Sequence, residues 1–288
     1  MGADGFMADR SVNGTGGVDG VARGAASFCV FNSTGEPVVK TLWHCSERLD
    51  WFLHTMSKRA LVAFKVLVHA LCLLPLVWLL HVYTSGRLAQ YADPVNYITH
   101  FTGNWTLYIL FASLAITPIR RLSPRISWLI RVRRLVGLYA FFYATLHLAT
   151  YVFLFSGYDI QAAFAGLRHG HPGAILAQWK AIWPTVHDDI RKRRFIQMGF
   201  FAWLILLALA CTSPGFVLRA MGGKNWQRLH RLVYVAAIAG VIHFWWLVKT
   251  GVRTPWKDTA ALAVLLAARV AYAAMKRSRA AKPVALRS

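Results

Sequence analysis

The chain has 288 residues, 57% of them hydrophobic and only 15% charged, with a formal net charge of +22. That composition is too apolar for an ordinary soluble domain and points to a membrane protein, whose spans need about 20 apolar residues each. The basic residues sit mostly in short segments between apolar runs, an orientation signal for a membrane protein rather than a nucleic-acid surface.

Residues 1–56 open with the Gly-rich, polar "MGADGFMADRSVNGTGGVDG", which lacks periodicity and a signal peptide's apolar core. The expectation is a disordered or mis-assigned N-terminal extension, with "MSKRALVAF" at Met56 reading as a start in its own right. Residues 57–276 then carry six apolar segments, at about 60–83, 100–118, 135–157, 196–213, 229–250 and 259–275, the last the shortest. A lone span must satisfy its own backbone hydrogen bonds, so each segment reads as a helix and the fold class as all-α, a six-transmembrane-helix bundle. No fixed-period repeat is visible. The four cysteines have no CxxC spacing, so no disulfide framework or zinc site follows.

Lys and Arg orient the bundle. "RRLSPRISWLIRVRR" between the second and third segments carries six arginines, "VLRAMGGKNWQR" three basic residues and the tail "KRSRAAKPVALRS" five. With six alternating helices these share one side, which places both termini, including a basic tail at 277–288, in the cytoplasm. "IRKRR" at 190–194 disagrees, falling in an external loop. That loop, 158–195, is the only long connection. Its "RHGHPG" and "HDD" are weak metal signals without further positioned ligands, and its "AAFAGL" and "ILAQWKAIW" suit interfacial helices.

Among 11 histidines, His147 stands in mid-span within "YATLHLATY", and an ionisable residue inside a membrane is a functional candidate by default. From Arg134 to His147 is 13 residues, about 20 Å of helix, and from Arg231 to His243 is 12, about 18 Å. The third and fifth segments run in the same direction, so His147 and His243 reach nearly one depth. Two neutral imidazoles at one level on neighbouring helices suit bis-histidine coordination of a haem iron. Ala144, Ala149, Ala239 and Gly240 beside them leave room for a flat macrocycle. His230 lies about 20 Å along the helix from His243 and cannot share that iron. Spacing leaves it two readings, a contact to a second redox group or a structural histidine at a helix start. His100 opens the second segment near the outer interface, close to anything bound in that half. Its plainer reading is structural.

At "DPVNYITHFTG" (93–103), "ITPIRRL" (116–122), "RRLVGLYAFFYATLHLATY" (133–151), "WLILLALACTS" (203–213) and "WQRLHRLVYVAAIAGVIHFWWLVK" (226–249), the chain resembles the MsrQ family of the ferric-reductase-like transmembrane superfamily. The likeness covers about residues 60–276, and residues 1–56 have no counterpart in it. It implies a b-type cytochrome of the bacterial inner membrane that passes electrons from the quinone pool or a flavin reductase to the periplasmic molybdopterin subunit MsrP. That partner repairs methionine sulfoxide in oxidised proteins. The family's haem-associated histidines match His147, His230 and His243, and FMN is attributed to the family without residues that can be placed here. The resemblance makes the chain an electron-transfer subunit rather than the catalytic one. Two alternatives stand beside it. A terminal ferric reductase of the same fold needs an open axial site or an outer metal site. A histidine-based proton channel or transporter calls for acidic partners within the spans, which contain none.

Overall fold

The computed structural model describes residues 57–121, 123–248 and 254–281. The expectations for residues 1–56, and for the end of the basic tail, lie outside the described residues. Helix α1 (Lys58–Thr84) is capped by Ser57, whose hydroxyl accepts from the Ala60 N–H at 3.1 Å. Helix α2 (Pro94–Ile119) starts on Asp93, which accepts from the Asn96 N–H at 2.9 Å, with Pro94 at the first helical position where its missing donor costs nothing. Helix α3 (Ile130–Thr150) runs on into a π-turn at Tyr151–Phe155. There follow α4 (Ile160–Arg168), α5 (Gly173–Lys192), α6 (Arg194–Cys211), α7 (Gly215–Met221) and α8 (Gly223–Leu229). A 3-10 turn at His230–Leu232 leads into α9 (Val233–Leu247), and α10 (Thr254–Ala281) closes the described chain.

Five stretches are long and apolar enough to cross a membrane: 59–84, 130–155, 194–211, 223–247 and 255–278. Helix α2 is not among them, because its first half carries Asn96, Thr99, Thr102, Asn104 and Thr106. It is nonetheless 26 residues long, and it buries Thr102, Leu107, Leu110, Phe111, Ser113, Leu114 and Thr117. A helix enclosed by its neighbours meets little lipid, and Thr99, Thr102 and Ser113 reach Thr150, His147 and the Arg133 carbonyl across the interface with α3.

The exposed face of the helices is as apolar as the core, which itself is mainly Leu, Val, Ile, Ala and Phe. Val66 and Val77 on α1 are 61% and 59% exposed while Thr102 is fully buried, a pattern that suits hydrocarbon outside and hydrogen bonds within. The protein is a membrane protein built on several apolar helices. Its two most extensive interfaces pair α2 with α3 and α6 with α9.

Three elements differ from the sequence expectation. The last apolar run, expected to be the shortest, belongs to a 28-residue helix that begins at Thr254 and keeps its basic end helical, so Asp258, expected outside the spans, is a buried carboxylate within the stretch 255–278. The fifth is not one continuous α-helix, because the 3-10 turn beginning at His230 separates α8 from α9. The long connection is an ordered hairpin of α4 and α5 packed on Tyr158, Ala163, Ile182 and Val186.

Helix α1 depends on α3 for its own backbone. Pro75 lies inside α1 and supplies no N–H, which leaves the Leu71 carbonyl without its helical donor. Next to that gap the Tyr143 hydroxyl donates to the Cys72 carbonyl at 2.8 Å and accepts from the Leu76 N–H at 3.1 Å. One side chain of α3 thus occupies a rung of another helix's ladder, and Tyr143 is fully buried there.

Candidate functional site

His147, near the end of α3, turns its ring onto α2. Its Nδ1 lies 3.1 Å from the Thr99 carbonyl oxygen and 3.3 Å from Thr102 Oγ1. A Cβ placed on Gly103 would come within 3.1 Å of the ring, so the imidazole rests on bare backbone. His243, on α9, turns its ring onto α6 in the same way. Its Nδ1 is 2.6 Å from the Phe195 carbonyl oxygen, and a Cβ on Gly199 would lie 2.7 Å from that nitrogen.

The two seats follow one plan. In each, a helical carbonyl accepts from Nδ1, a glycine four residues later makes space, and the histidine follows the carbonyl by 48 residues. The chain therefore repeats a helix-pair arrangement that gave no repeat in its sequence, because positions recur while side chains such as Thr99 and Phe195 do not.

A carbonyl oxygen only accepts, so the ring proton sits on Nδ1 in both histidines and Nε2 keeps its lone pair. Fixing the far nitrogen on a carbonyl is the usual support of a metal-binding imidazole. The two ring centroids are 6.0 Å apart with planes at 81°. With metal–imidazole bonds of about 2 Å, rings on opposite faces of one ion have centroids roughly 6 Å apart. Among the described residues no three His, Cys, Asp or Glu side chains form a metal-ligand group. The chemistry on offer is two neutral imidazole nitrogens, a donor set that fits a haem iron.

The other candidates lie elsewhere. His100 follows Thr99 on α2, with its ring 6.4 Å from Phe244, the residue after His243. It lines a cleft of about 860 Å³ with Asn96, Asn104, Tyr108, Lys257 and Asp258. His230 is not brought to the pair. Its ring stacks on Trp226 at 3.8 Å, and its Nε2 lies 3.2 Å from Thr212 Oγ1. That hydroxyl donates to the Ala208 carbonyl at 2.8 Å, so it accepts from His230 and places the ring proton on Nε2. Arg134 stands 5.7 Å above Trp226.

Gly240 and Ala239 do not leave the open space that their size suggests. Gly240 packs against Leu107 of α2, and Ala239 is buried. The residues that do make space, Gly103 and Gly199, were missed in the sequence. A glycine inside an apolar helical run costs about 1 kcal/mol against alanine, and that cost is the signal that could have found them.

The family described as ferric reductase like transmembrane component matches residues 68–241. A "Protein-methionine-sulfoxide reductase heme-binding subunit MsrQ" of Xanthomonas axonopodis pv. citri (strain 306) is 41% identical over 74% of this chain and 88% of its own. The protein of that name from Herminiimonas arsenicoxydans is 41% identical over 67% of this chain and 82% of its own. That from Ralstonia nicotianae is 37% identical over 66% and 76%. No solved structure matches the chain.

Proposed function

The chain belongs to the ferric reductase like transmembrane component family, and within it to the MsrQ heme-binding subunits, and from that membership we propose that it holds haem b between His147 and His243 and passes electrons to a periplasmic MsrP subunit. The observation that carries this reading is the pair of imidazoles with ring centroids 6.0 Å apart, each with Nδ1 tied to a carbonyl. A bound haem would supply one-electron carriage. The protein's part would be to offer the Nε2 lone pairs of His147 and His243 to the iron and to exclude water with the buried walls of α2, α3, α6 and α9. Were both histidines to ligate the iron, no site would be left on it for substrate, which suits an electron-transfer subunit. Repair of methionine sulfoxide belongs to the partner. A terminal reductase would need an open axial site, so it is the weaker reading.

In this reading α2 is the sixth span and the protein sits in the bacterial inner membrane with both termini cytoplasmic. Residues 57–276 form the haem domain, between an N-terminal extension at 1–56 and a basic tail at 277–288. The described carboxylates support the orientation. Asp93, Asp159 and Asp258 stand at or near the starts of α2, α4 and α10, and Asp188 and Asp189 lie on the α4–α5 hairpin, all on the proposed outer side. The basic cluster on that hairpin is partly neutralised, Lys192 pairing with Asp188 at 2.7 Å and Arg193 with Asp189 at 2.9 Å. The donor is the quinone pool or a cytoplasmic flavin reductase. A second haem would meet the chain at His230, FMN has no residues assigned to it, and MsrP would dock beside the His100 cleft.

The test is a visible and electron paramagnetic resonance spectrum of the purified protein. It should show a low-spin Soret band, lost in His147→Ala and in His243→Ala. If either variant keeps the spectrum unchanged, the axial pair is wrong. Reduction of added MsrP from the chemically reduced chain tests the partner.

A further inference from the structure

Arg120 and Arg121 follow the last turn of α2, Arg133 stands in the first turn of α3 and Arg269 lies on α10. The Arg121 guanidinium sits 4.0 Å over the ring of Tyr272 on α10, and Arg269, one turn away on that helix, sits 4.4 Å over Tyr234 of α9. The charges of Arg120, Arg121 and Arg133 all bear on Arg269. Four guanidiniums from three helices therefore share one region, backed by a fourth helix through Tyr234.

Nothing among the described residues balances them. The two ion pairs among those residues both lie on the α4–α5 hairpin, and the described carboxylates all stand toward the opposite helix ends. Arg120 Nε and Arg269 Nε are shut off from solvent without a hydrogen-bond partner. A guanidinium does not shed its proton, so the repulsion is not relieved by neutralisation. A closed-off donor without an acceptor, among like charges, calls for an anion.

We propose that Arg120, Arg121, Arg133 and Arg269 bind a phosphate group, supplied by the headgroup of an anionic phospholipid. Guanidinium forks match the oxygens of a phosphate in pairs, and four of them can surround one such group. The cluster lies where α2 ends and α3 begins, at the border of the apolar spans. Tyr234 and Tyr272 stand there as side chains suited to a membrane interface. Around it Ile119, Ile130, Val270 and Met275 are exposed apolar residues that would lie along acyl chains. This inference needs only a membrane protein, and it stands whether or not the haem reading does.

The experiment uses the full chain in lipid nanodiscs and the double variant R121Q/R269Q. In native mass spectrometry after mixed-lipid reconstitution, the wild type should retain phosphatidylglycerol over phosphatidylcholine by roughly tenfold, and the double variant should lose that preference. Melting temperature gives a second reading with a change of sign. In phosphatidylcholine the double variant should melt no lower than the wild type, because repulsion is removed, and in phosphatidylglycerol it should melt lower. The single variant R121Q, at an exposed position, serves if the double variant does not fold. Equal retention of both lipids by the wild type overturns the proposal. If millimolar inorganic phosphate reproduces the stabilisation in phosphatidylcholine discs, the phosphate comes from solution and the lipid assignment falls. Loss of haem with unchanged lipid selectivity assigns the cluster to a haem propionate and also overturns it.

Discussion

Gly103 and Gly199 hold equivalent places beneath the imidazoles of His147 and His243, each four residues after the carbonyl that fixes its histidine. They are not equally tight. A methyl group on Gly199 would lie 2.7 Å from His243 Nδ1, a nitrogen already held at 2.6 Å by Phe195, whereas one on Gly103 would lie 3.1 Å from His147 Cε1. Gly199→Ala must therefore displace the ring, while Gly103→Ala asks for a shift of a few tenths of an ångström. Haem affinity should fall by about 10- to 100-fold in Gly199→Ala, the range seen when support of a metal-binding histidine is lost. Gly103→Ala should keep its low-spin spectrum. Haem-to-protein ratios of the two purified variants check the ranking, and the reverse order would refute the seats.

His230→Ala should retain the chromophore of the His147/His243 pair. The ring stands apart, stacked on Trp226 and bonded to Thr212. Haem stoichiometry before and after the substitution measures what, if anything, His230 holds. Disappearance of the low-spin signal itself would contradict the separation of the two levels.

Removing haem should lower the melting temperature of the wild type and leave that of His243→Ala unchanged. A ligand that binds only the folded state stabilises it by about 2.7 kcal/mol at 100 times its dissociation constant. Thermal melts of the extracted and reloaded proteins supply the comparison. Equal responses in wild type and variant would place the haem elsewhere.

Tyr143→Phe should cost about 1 kcal/mol, within the span measured for hydrogen bonds between membrane helices. The substitution removes partners from both the Cys72 carbonyl and the Leu76 N–H. Tyr139→Phe makes the matched control, since it deletes the 2.7 Å bond to the more exposed His69. Denaturant unfolding in mixed micelles should rank Tyr143→Phe as the more damaging. Haem content should change in neither.

The proximity of His147 and His243 was legible because a bilayer turns residue counts into depth. Counting from Arg134 and Arg231 put both rings at one level, and the structure brings them together. Their seats were not legible, since each joins residues 48 positions apart through a backbone carbonyl, which carries no residue identity. Helix ends were misjudged where a helix runs on past its apolar segment, as at Thr254–Asp258 and in the basic end of α10. Helix α2 shows the opposite limit, for its long helix was recognised although its polar first half keeps it outside the apolar criterion that five other stretches meet. His230 kept two readings in the sequence because local spacing says nothing of Thr212, which reaches it from α6's end.

The borrowed rung between Cys72 and Leu76 bears on the order of assembly. A helix that closes all its own hydrogen bonds can wait in lipid indefinitely for neighbours. Helix α1 cannot wait on those terms, because Pro75 opens a polar seam near its middle and the hydroxyl that serves the seam belongs to a segment made some 70 residues later. Until α3 arrives, that seam faces hydrocarbon or draws water inward. The docking of α1 on α3 thus covers that seam, and both partners of the contact are synthesised before the helix that carries the second histidine.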